Sequence, residues 1–156
     1  SFMENKESIK ILVSNKKAYF NYFLSDFLEC GIELFGTEIK SIKNHGCSIS
    51  DAYCVIKNNQ LYILNMNIAP YEKGTVYNHD PLRTRKLLAH KKEILKLNNK
   101  VIKDGYTLIP TKIYLKKGLC KIEIALGKGK KLYDKRESIK ERDDSRNMAK
   151  AIKRDR

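Results

Sequence analysis

Apolar and polar positions alternate over much of this chain, and elsewhere the spacing lengthens to that of a helix. Tyr19 to Phe35, YFNYFLSDFLECGIELF, is aromatic and aliphatic with partial alternation. It predicts one long strand, bent or bulged near Gly31, where a missing Cβ permits the kink. The GTEIKSIKN segment that follows carries Ile39 and Ile42 at helical spacing and predicts a short helix. Ala52 to Asn65 reads AYCVIK, a polar NNQ turn and then LYILN, which is a β-hairpin. Pro70, Gly74 and their neighbours make a loop.

Asp80-Pro81 reads as a helix start, with Asp80 as N-cap and Pro81 at the first helical position. The helix is expected to continue through RTRKLLAHKKEILKL, with Leu87, Leu88, Ile94, Leu95 and Leu97 as its buried stripe. Arg83, Arg85, Lys86, Lys91, Lys92 and Lys96 crowd the remaining faces. Asn98-Asn99 interrupts it, Val101-Ile102 adds a turn and Gly105 ends it. Tyr106 to Leu115 and Leu119 to Leu126 form a second hairpin across KKG. Cys120, Ile122, Ile124 and Leu126 oppose Lys121 and Glu123 in clean alternation. Pro110 marks an edge or a bulge there. Several strands, an inserted helix and no βαβ rhythm give a mainly β architecture with flanking helices (α+β). The best match is an OB-fold-like closed Greek-key β-barrel, a fold that often binds nucleic acid.

From Gly127 the pattern changes. GKGKKLYDKRESIKERDDSRNMAKAIKRDR is dense in charge and nearly empty of core-forming side chains. Such a segment cannot bury enough apolar area to offset its ordering entropy, so it is expected to be disordered alone and to fold on a partner. Ser138 to Glu141 supplies a capping box for a helix in the bound state. The whole chain carries 32 Lys+Arg against 18 Asp+Glu, a net charge of +14. That excess points to a polyanion, and RNA fits best. An anionic membrane surface is the alternative, but the tail lacks the Trp/Phe/Leu face of interfacial helices. Three regions follow. Residues 1–14 are read as an N-terminal scar (Ser1-Phe2 ahead of Met3) and flexible lead-in, 15–127 as the barrel, and 128–156 as the basic tail.

Other classes find little support. No apolar run approaches the ~20 residues of a membrane span. SFMENKESIKILV is charged early and lacks the long apolar region of a signal peptide, so a cytoplasmic protein is expected. Cys30, Cys47, Cys54 and Cys120 are scattered without a CxxC pair and read as reduced, buried small hydrophobes. His45, His79 and His90 have no metal or triad spacing, and Asp80 beside His79 is better explained as a cap. The Gly-Lys-Gly-Lys run is no P-loop, since Lys131 is followed by Leu132 where a magnesium-binding hydroxyl is needed. Neither catalytic residues, nor a metal site, nor a cofactor is expected.

Four segments then carry a family likeness: NKKAYFNYFLSDFLECGIELFGTEIKSIK (Asn15 to Lys43), ISDAYCVI (Ile49 to Ile56), DPLRTRKLL (Asp80 to Leu88) and GKGKKLYDKRESIKER (Gly127 to Arg142). In this order, from Asn15 to the C-terminus, the chain closely resembles the small protein B (SmpB) family, partners of transfer-messenger RNA (tmRNA, SsrA RNA) in bacterial ribosome rescue. The resemblance implies an OB-type barrel with flanking helices that binds the tRNA-like domain of tmRNA and stands in for its missing anticodon arm. The complex is then expected in the A site of a stalled ribosome, with the tail folded as a helix in the empty mRNA channel. Translation would resume on the RNA's own reading frame and tag the incomplete product for proteolysis. The alternative is a generic OB-fold RNA-binding or translation-factor-like module without a dedicated tmRNA partner.

The likeness and the residue chemistry together nominate sites. Lys17, Tyr22 and Glu29 lie in the first matching segment, and Tyr22 and Glu29 fall in the family's RNA-facing strand. Tyr22 could stack on a base and Glu29 could accept a base or 2′-hydroxyl hydrogen bond. The plain alternative is a half-buried tyrosine and a solvated glutamate. Asn67, in the MNIAPY loop, matches a family position and could equally shape the turn. Arg83, Arg85 and Lys86 open the expected helix, where exposed arginines make a phosphate site. A solvated face with snorkelling stems is the other reading. Lys128, Lys130 and Lys131 follow the last strand with glycines between, so backbone could close on a phosphate while lysines neutralise it. A flexible linker is equally compatible with that run. In the tail, Tyr133, Asp134, Lys135 and Arg136 match the family's entry motif, with Lys140 and Arg142 beyond as further ribosome contacts. Many relatives carry His where this chain has Tyr133, a change that stacking on rRNA would survive and imidazole chemistry would not.

Overall fold

The computed structural model describes residues 8–73 and 78–130. In chain order the elements are β1 (Ile9–Ser14), α1 (Lys16–Asn21), β2 (Tyr22–Ile32), α2 (Gly36–Lys43), β3 (Cys47–Ser48) and β4 (Tyr53–Lys57). They continue with β5 (Gln60–Leu64), β6 (Asn67–Ile68), β7 (Arg85–Leu88), α3 (Lys91–Asp104), β8 (Thr107–Lys116) and β9 (Leu119–Gly129). Six strands form a ring in the order β4-β5-β7-β2-β9-β8, closed by the single pair Cys54↔Leu108 between β4 and β8. The outer part of β8 carries β1 as an extra antiparallel strand, and β3 with β6 makes a separate small ribbon. This is the OB-like, mainly β architecture that the alternation predicts.

Both hairpins turn where the sequence places them. Asn58 and Asn59 have φ of 53° and 61°, and Lys117 and Gly118 have 53° and 78°. Two consecutive left-handed residues give the turn whose twist matches that of paired strands. Alternation in β9 sends Ile122, Ile124 and Leu126 inward, all fully buried beside Leu61, Ile63, Leu87 and Ile113. The register of β8 against β9 slips between Pro110 and Lys112, the bulge that Pro110 announces.

Four expectations need correction. Residues 9–14 are not a loose lead-in, because they pair with β8 from Ile9↔Lys116 to Ser14↔Lys112. The long strand begins only at Tyr22, since Asn15 starts a helix before it. Asn15 Oδ1 accepts the Ala18 N–H at 3.1 Å, while its Nδ2 donates to Pro110 O at 2.8 Å and Ile49 O at 3.2 Å. The irregularity in β2 sits between Ser25 and Leu28, where Asp26 has φ of 51°, and not at Gly31. Gly31 is regularly paired, and a Cβ there would press to 3.3 Å from Leu88 Cβ.

The fourth correction is the helix from Asp80. Asp80 caps a turn, accepting the Leu82 N–H at 2.9 Å, and Arg85–Leu88 then forms β7 between β5 and β2. Filling that gap completes the ring's hydrogen bonds, which outweighs the helix propensity of Arg, Lys and Leu. The helix starts at Lys91 and runs unbroken through Asn98-Asn99 to Gly105, whose φ of 71° ends it. It lays Ile94 and Leu97 on the core. None of the helices among the described residues is long and apolar enough to cross a membrane. All four cysteines are free, and burial raises the thiols of Cys30 and Cys47 to about 12.

Candidate nucleic-acid interface

The nominated residues fall into three groups. The first lies where β2 begins and β9 ends. Tyr22 pairs with Gly129 and Phe23 with Lys128, and the Lys130 N–H donates to Asn21 O at 2.9 Å. The Gly-Lys-Gly-Lys run is therefore strand up to Gly129, not a phosphate-cradling loop. Strand alternation puts Lys128 and Lys130 on one face. Lys130 Nζ stands 5.1 Å from the centre of the exposed Phe23 ring and 3.4 Å from Tyr19 O. Lys128 Nζ stands 5.1 Å from the Tyr106 ring and donates to Asp104 O at 2.7 Å. Two lysines are thus held over aromatic rings at a surface corner, each worth about 0.5–1 kcal/mol as an exposed cation–π pair. Cations beside rings, the exposed Phe23 and the half-buried Tyr106, suit RNA, which offers phosphates and unstacked bases together. Lys17, on α1 nearby, pairs with Asp51 at 3.0 Å with both side chains largely exposed.

Tyr22 has a defined seat in this corner. Its ring lies against Gly127, where an added Cβ would come within 3.1 Å of Tyr22 Cδ1 and 3.0 Å of Ile109 Cγ1. A larger residue at 127 would push the ring away.

The second group centres on Glu29, roughly 20 Å further along β2 at a strand rise of about 3.3 Å per residue. Its Oε1 accepts from the Tyr114 hydroxyl at 2.6 Å and from Lys116 Nζ at 3.3 Å. The Tyr114 hydrogen bond holds the carboxyl below its ordinary value, against some desolvation, with Lys116 and Lys121 helping. Burial, then the hydrogen bond to Glu29, pushes the Tyr114 phenol well up. Glu29 is thus an oriented, ionised acceptor with lone pairs to spare. Across the ladder sits Glu123, which accepts from Thr111 Oγ1 at 2.7 Å.

The third group departs from expectation. Arg85 is fully buried, not displayed on a helix face, and it grips Glu38, which is also fully buried. Arg85 Nε donates to Glu38 Oε2 at 2.7 Å, and its terminal nitrogens donate to Met66 O at 2.7 Å and Asp80 O at 3.2 Å. Arg83 donates to Glu38 Oε1 at 2.7 Å, with its guanidinium 4.1 Å from the centre of the Phe35 ring. Burial drives Glu38 upward, but Arg83, the Phe35 N–H and Arg85 together outweigh it and hold it below the carboxylate range. The pair fastens α2 to β7 and leaves Arg85 nothing to offer a phosphate. Lys86 points the other way, half-buried opposite Tyr62. Asn67 is exposed opposite Ser48 in the β3–β6 ribbon.

Sequence reasoning missed Asn15, Glu38, Tyr114 and the corner rings Phe23 and Tyr106. A period of two across Arg83, Arg85 and Leu87 was the signal for an inward arginine, hidden by the helical reading. Lys131, Tyr133, Asp134, Lys135, Arg136, Lys140 and Arg142 lie outside the described residues. Among the described residues no cluster of His, Cys, Asp and Glu is arranged to hold a metal ion.

A family model described as SmpB protein matches residues 12–154. The chain belongs to the SmpB family. The SsrA-binding protein of Caldanaerobacter subterraneus subsp. tengcongensis is 51% identical over 150 residues, covering 96% of this chain and 95% of that protein. The SsrA-binding protein of Malacoplasma penetrans is 55% identical over 145 residues, covering 93% and 99%. A solved chain described under "tmRNA-SmpB: a journey to the center of the bacterial ribosome" superposes with a TM-score of 0.65 at 38% identity. It covers 89% of this chain and 94% of that one. The likeness spans both the barrel and the basic tail of this SmpB-family chain.

Proposed function

We propose that this chain is an RNA-binding ribosome-rescue factor and not an enzyme. It binds the tRNA-like domain of tmRNA, stands in for the absent anticodon arm, and brings tmRNA to the A site of stalled ribosomes for trans-translation. The ribosome as partner makes the cytoplasm its place of work. The observation that carries this reading is the family match over residues 12–154, alongside relatives more than 50% identical that are named SsrA-binding proteins. The surface agrees with it. Lysines over aromatic rings supply affinity, and an oriented carboxylate adds none toward phosphates and so serves readout.

The test compares affinity for the tRNA-like domain of tmRNA, an ordinary tRNA and an unrelated hairpin at physiological salt. A strong preference for the first is expected. Equal binding to all three leaves only a generic basic OB-fold module. The tail is assigned to the ribosome and mRNA channel, with Tyr133, Asp134, Lys135, Arg136, Lys140 and Arg142 as its contacts. Truncation after Gly129 is then expected to spare tmRNA binding and abolish tagging, and loss of both together would refute that division of labour.

A further inference from the structure

A cleft of about 290 Å³ opens between α1, the start of β2 and the turn before β4. Tyr22 and Tyr53 stand on its walls, with Asn21, Ser50, Lys17 and Asp51 around them. We propose that this cleft receives a single unstacked RNA nucleotide. Its base packs on the tyrosine rings, with the Asn21 amide and Ser50 hydroxyl on its edge and Lys17 on its phosphate. This assignment rests on the RNA-binding reading above and adds to it a place and a contact chemistry.

Size is the first argument. The volume lies just under the roughly 300–1,000 Å³ of pockets for drug-sized ligands, which suits one base and excludes a duplex. Composition is the second. Aromatic walls with an amide and a hydroxyl are what base recognition uses, because stacking accepts the π-face and the polar groups read the edge. Preorganisation is the third. The buried Asn15 ties α1 to β8 through Pro110 O and to the turn before β4 through Ile49 O. Its own N–H donates to Thr111 O at 2.9 Å. The Tyr22 ring, also on the lining, lies against Gly127. Little ordering entropy is left to be lost on binding.

Charge is the fourth argument. Among the described residues Lys17 pairs with Asp51, and both side chains are well exposed, at 58% and 75%. An exposed ion pair of this kind is weak, so redirecting Lys17 to a phosphate costs little. Lys130 joins the same corner from the other side, through its backbone bond to Asn21. The nucleotide's two neighbours in the RNA strand therefore leave over cationic surface.

The chain contains no tryptophan, which makes a direct test available. Tyr53→Trp introduces one fluorophore at the cleft without removing an aromatic wall. Titration of the full-length variant with tmRNA is expected to quench its emission through base stacking, at near-parent affinity. Tyr53→Ala is expected to weaken tmRNA binding roughly 5- to 150-fold, and Tyr53→Phe by less than about twofold. Lys17→Ala is expected to weaken binding and flatten its salt dependence by about one phosphate. Thermal unfolding of each variant checks that the fold is retained. Unchanged emission on saturation with tmRNA, or a Tyr53→Ala affinity within about twofold of the parent, overturns the cleft assignment while leaving the tmRNA reading intact. Should the parent bind all RNAs alike, the tmRNA reading fails, and the same two measurements on those RNAs still decide the cleft.

Discussion

Glu38 and Glu29 are both carboxylates held below their ordinary value in a strongly basic chain, and they do opposite things with it. Glu38 is fully buried and spends its oxygens on Arg83, Arg85 and the Phe35 N–H, so no lone pair faces solvent. Glu29 lies on the outer strand face, held by one phenol and one lysine, with its remaining acceptor capacity turned outward. The inner site converts charge into a fixed geometry between α2 and β7. The outer site keeps an ionised acceptor where it would be most misplaced if affinity for phosphate were the only goal. A motif rich in arginine can therefore be architecture, while an acid on the outer face of a basic chain keeps acceptor capacity available.

Breaking the inner site should have the largest effect. Removing one partner strands a buried charge, which costs about 3–5 kcal/mol. Glu38→Gln or Arg85→Leu is expected to lower stability by that order in urea unfolding. Arg85→Lys rescues little, since an ammonium cannot reach Glu38, Met66 O and Asp80 O at once. If RNA affinity fell in Arg85→Lys with stability unchanged, the clamp would be the wrong reading and phosphate contact the right one.

The same site sets a pH dependence. Glu38 has a folded value below its unfolded one, about 4.5. Its stabilisation is therefore complete above that pH and is lost as pH falls through the folded value. Glu29 contributes with the same sign, held down by Tyr114 and Lys116. Stability measured downward from pH 5 should decline in the parent and decline less steeply in Glu38→Gln. An equal slope in both would place the acid sensitivity elsewhere.

How much of this was legible beforehand follows from which forces are local. The two hairpins, α2 and the Pro110 bulge were readable, because turn residues and alternation act within a few positions. The segment from Asp80 to Leu97 was not. Its leucines fit a helical stripe as well as a strand followed by a helix, and only the gap between β5 and β2 decides. Ile9–Ser14 was missed for the same reason, since an edge strand is made by its partner β8. The error carried into the site. On a helix Arg83, Arg85 and Lys86 form one basic N-terminus, whereas here Arg83 before the strand and Arg85 within it turn to Glu38, and Lys86 lies outward beside Tyr62. The family segments located Tyr22 and Glu29 correctly in β2, but no local pattern joins Glu29 to Tyr114, far along the chain.

The outer site should answer in selectivity, not stability. Glu29→Ala is expected to lose about 1–3 kcal/mol of discrimination between the tRNA-like domain and an ordinary tRNA, the scale of one specific base contact. Unfolding should change by about 1 kcal/mol or less. Tyr114→Phe leaves Glu29 in place without its strongest donor and should fall between parent and Glu29→Ala in the same competition assay. Uniform weakening on every RNA would mean that Glu29 serves only to hold the strand face.

The smallest expected effect separates the corner lysines from both acids. Lys130 Nζ rests over Phe23 and against Tyr19 O at the surface, so its loss leaves no buried group unpaired. Lys130→Ala should therefore barely move the unfolding midpoint. Each lysine that neutralises one phosphate contributes about 0.7–0.9 to the slope of log affinity against log salt. The variant should bind all RNAs more weakly at low salt, converge with the parent as salt rises, and keep the parent's preference for the tRNA-like domain. A changed preference with an unchanged slope would instead assign Lys130 to base readout, and the division between reading carboxylate and neutralising lysine would fail at that corner.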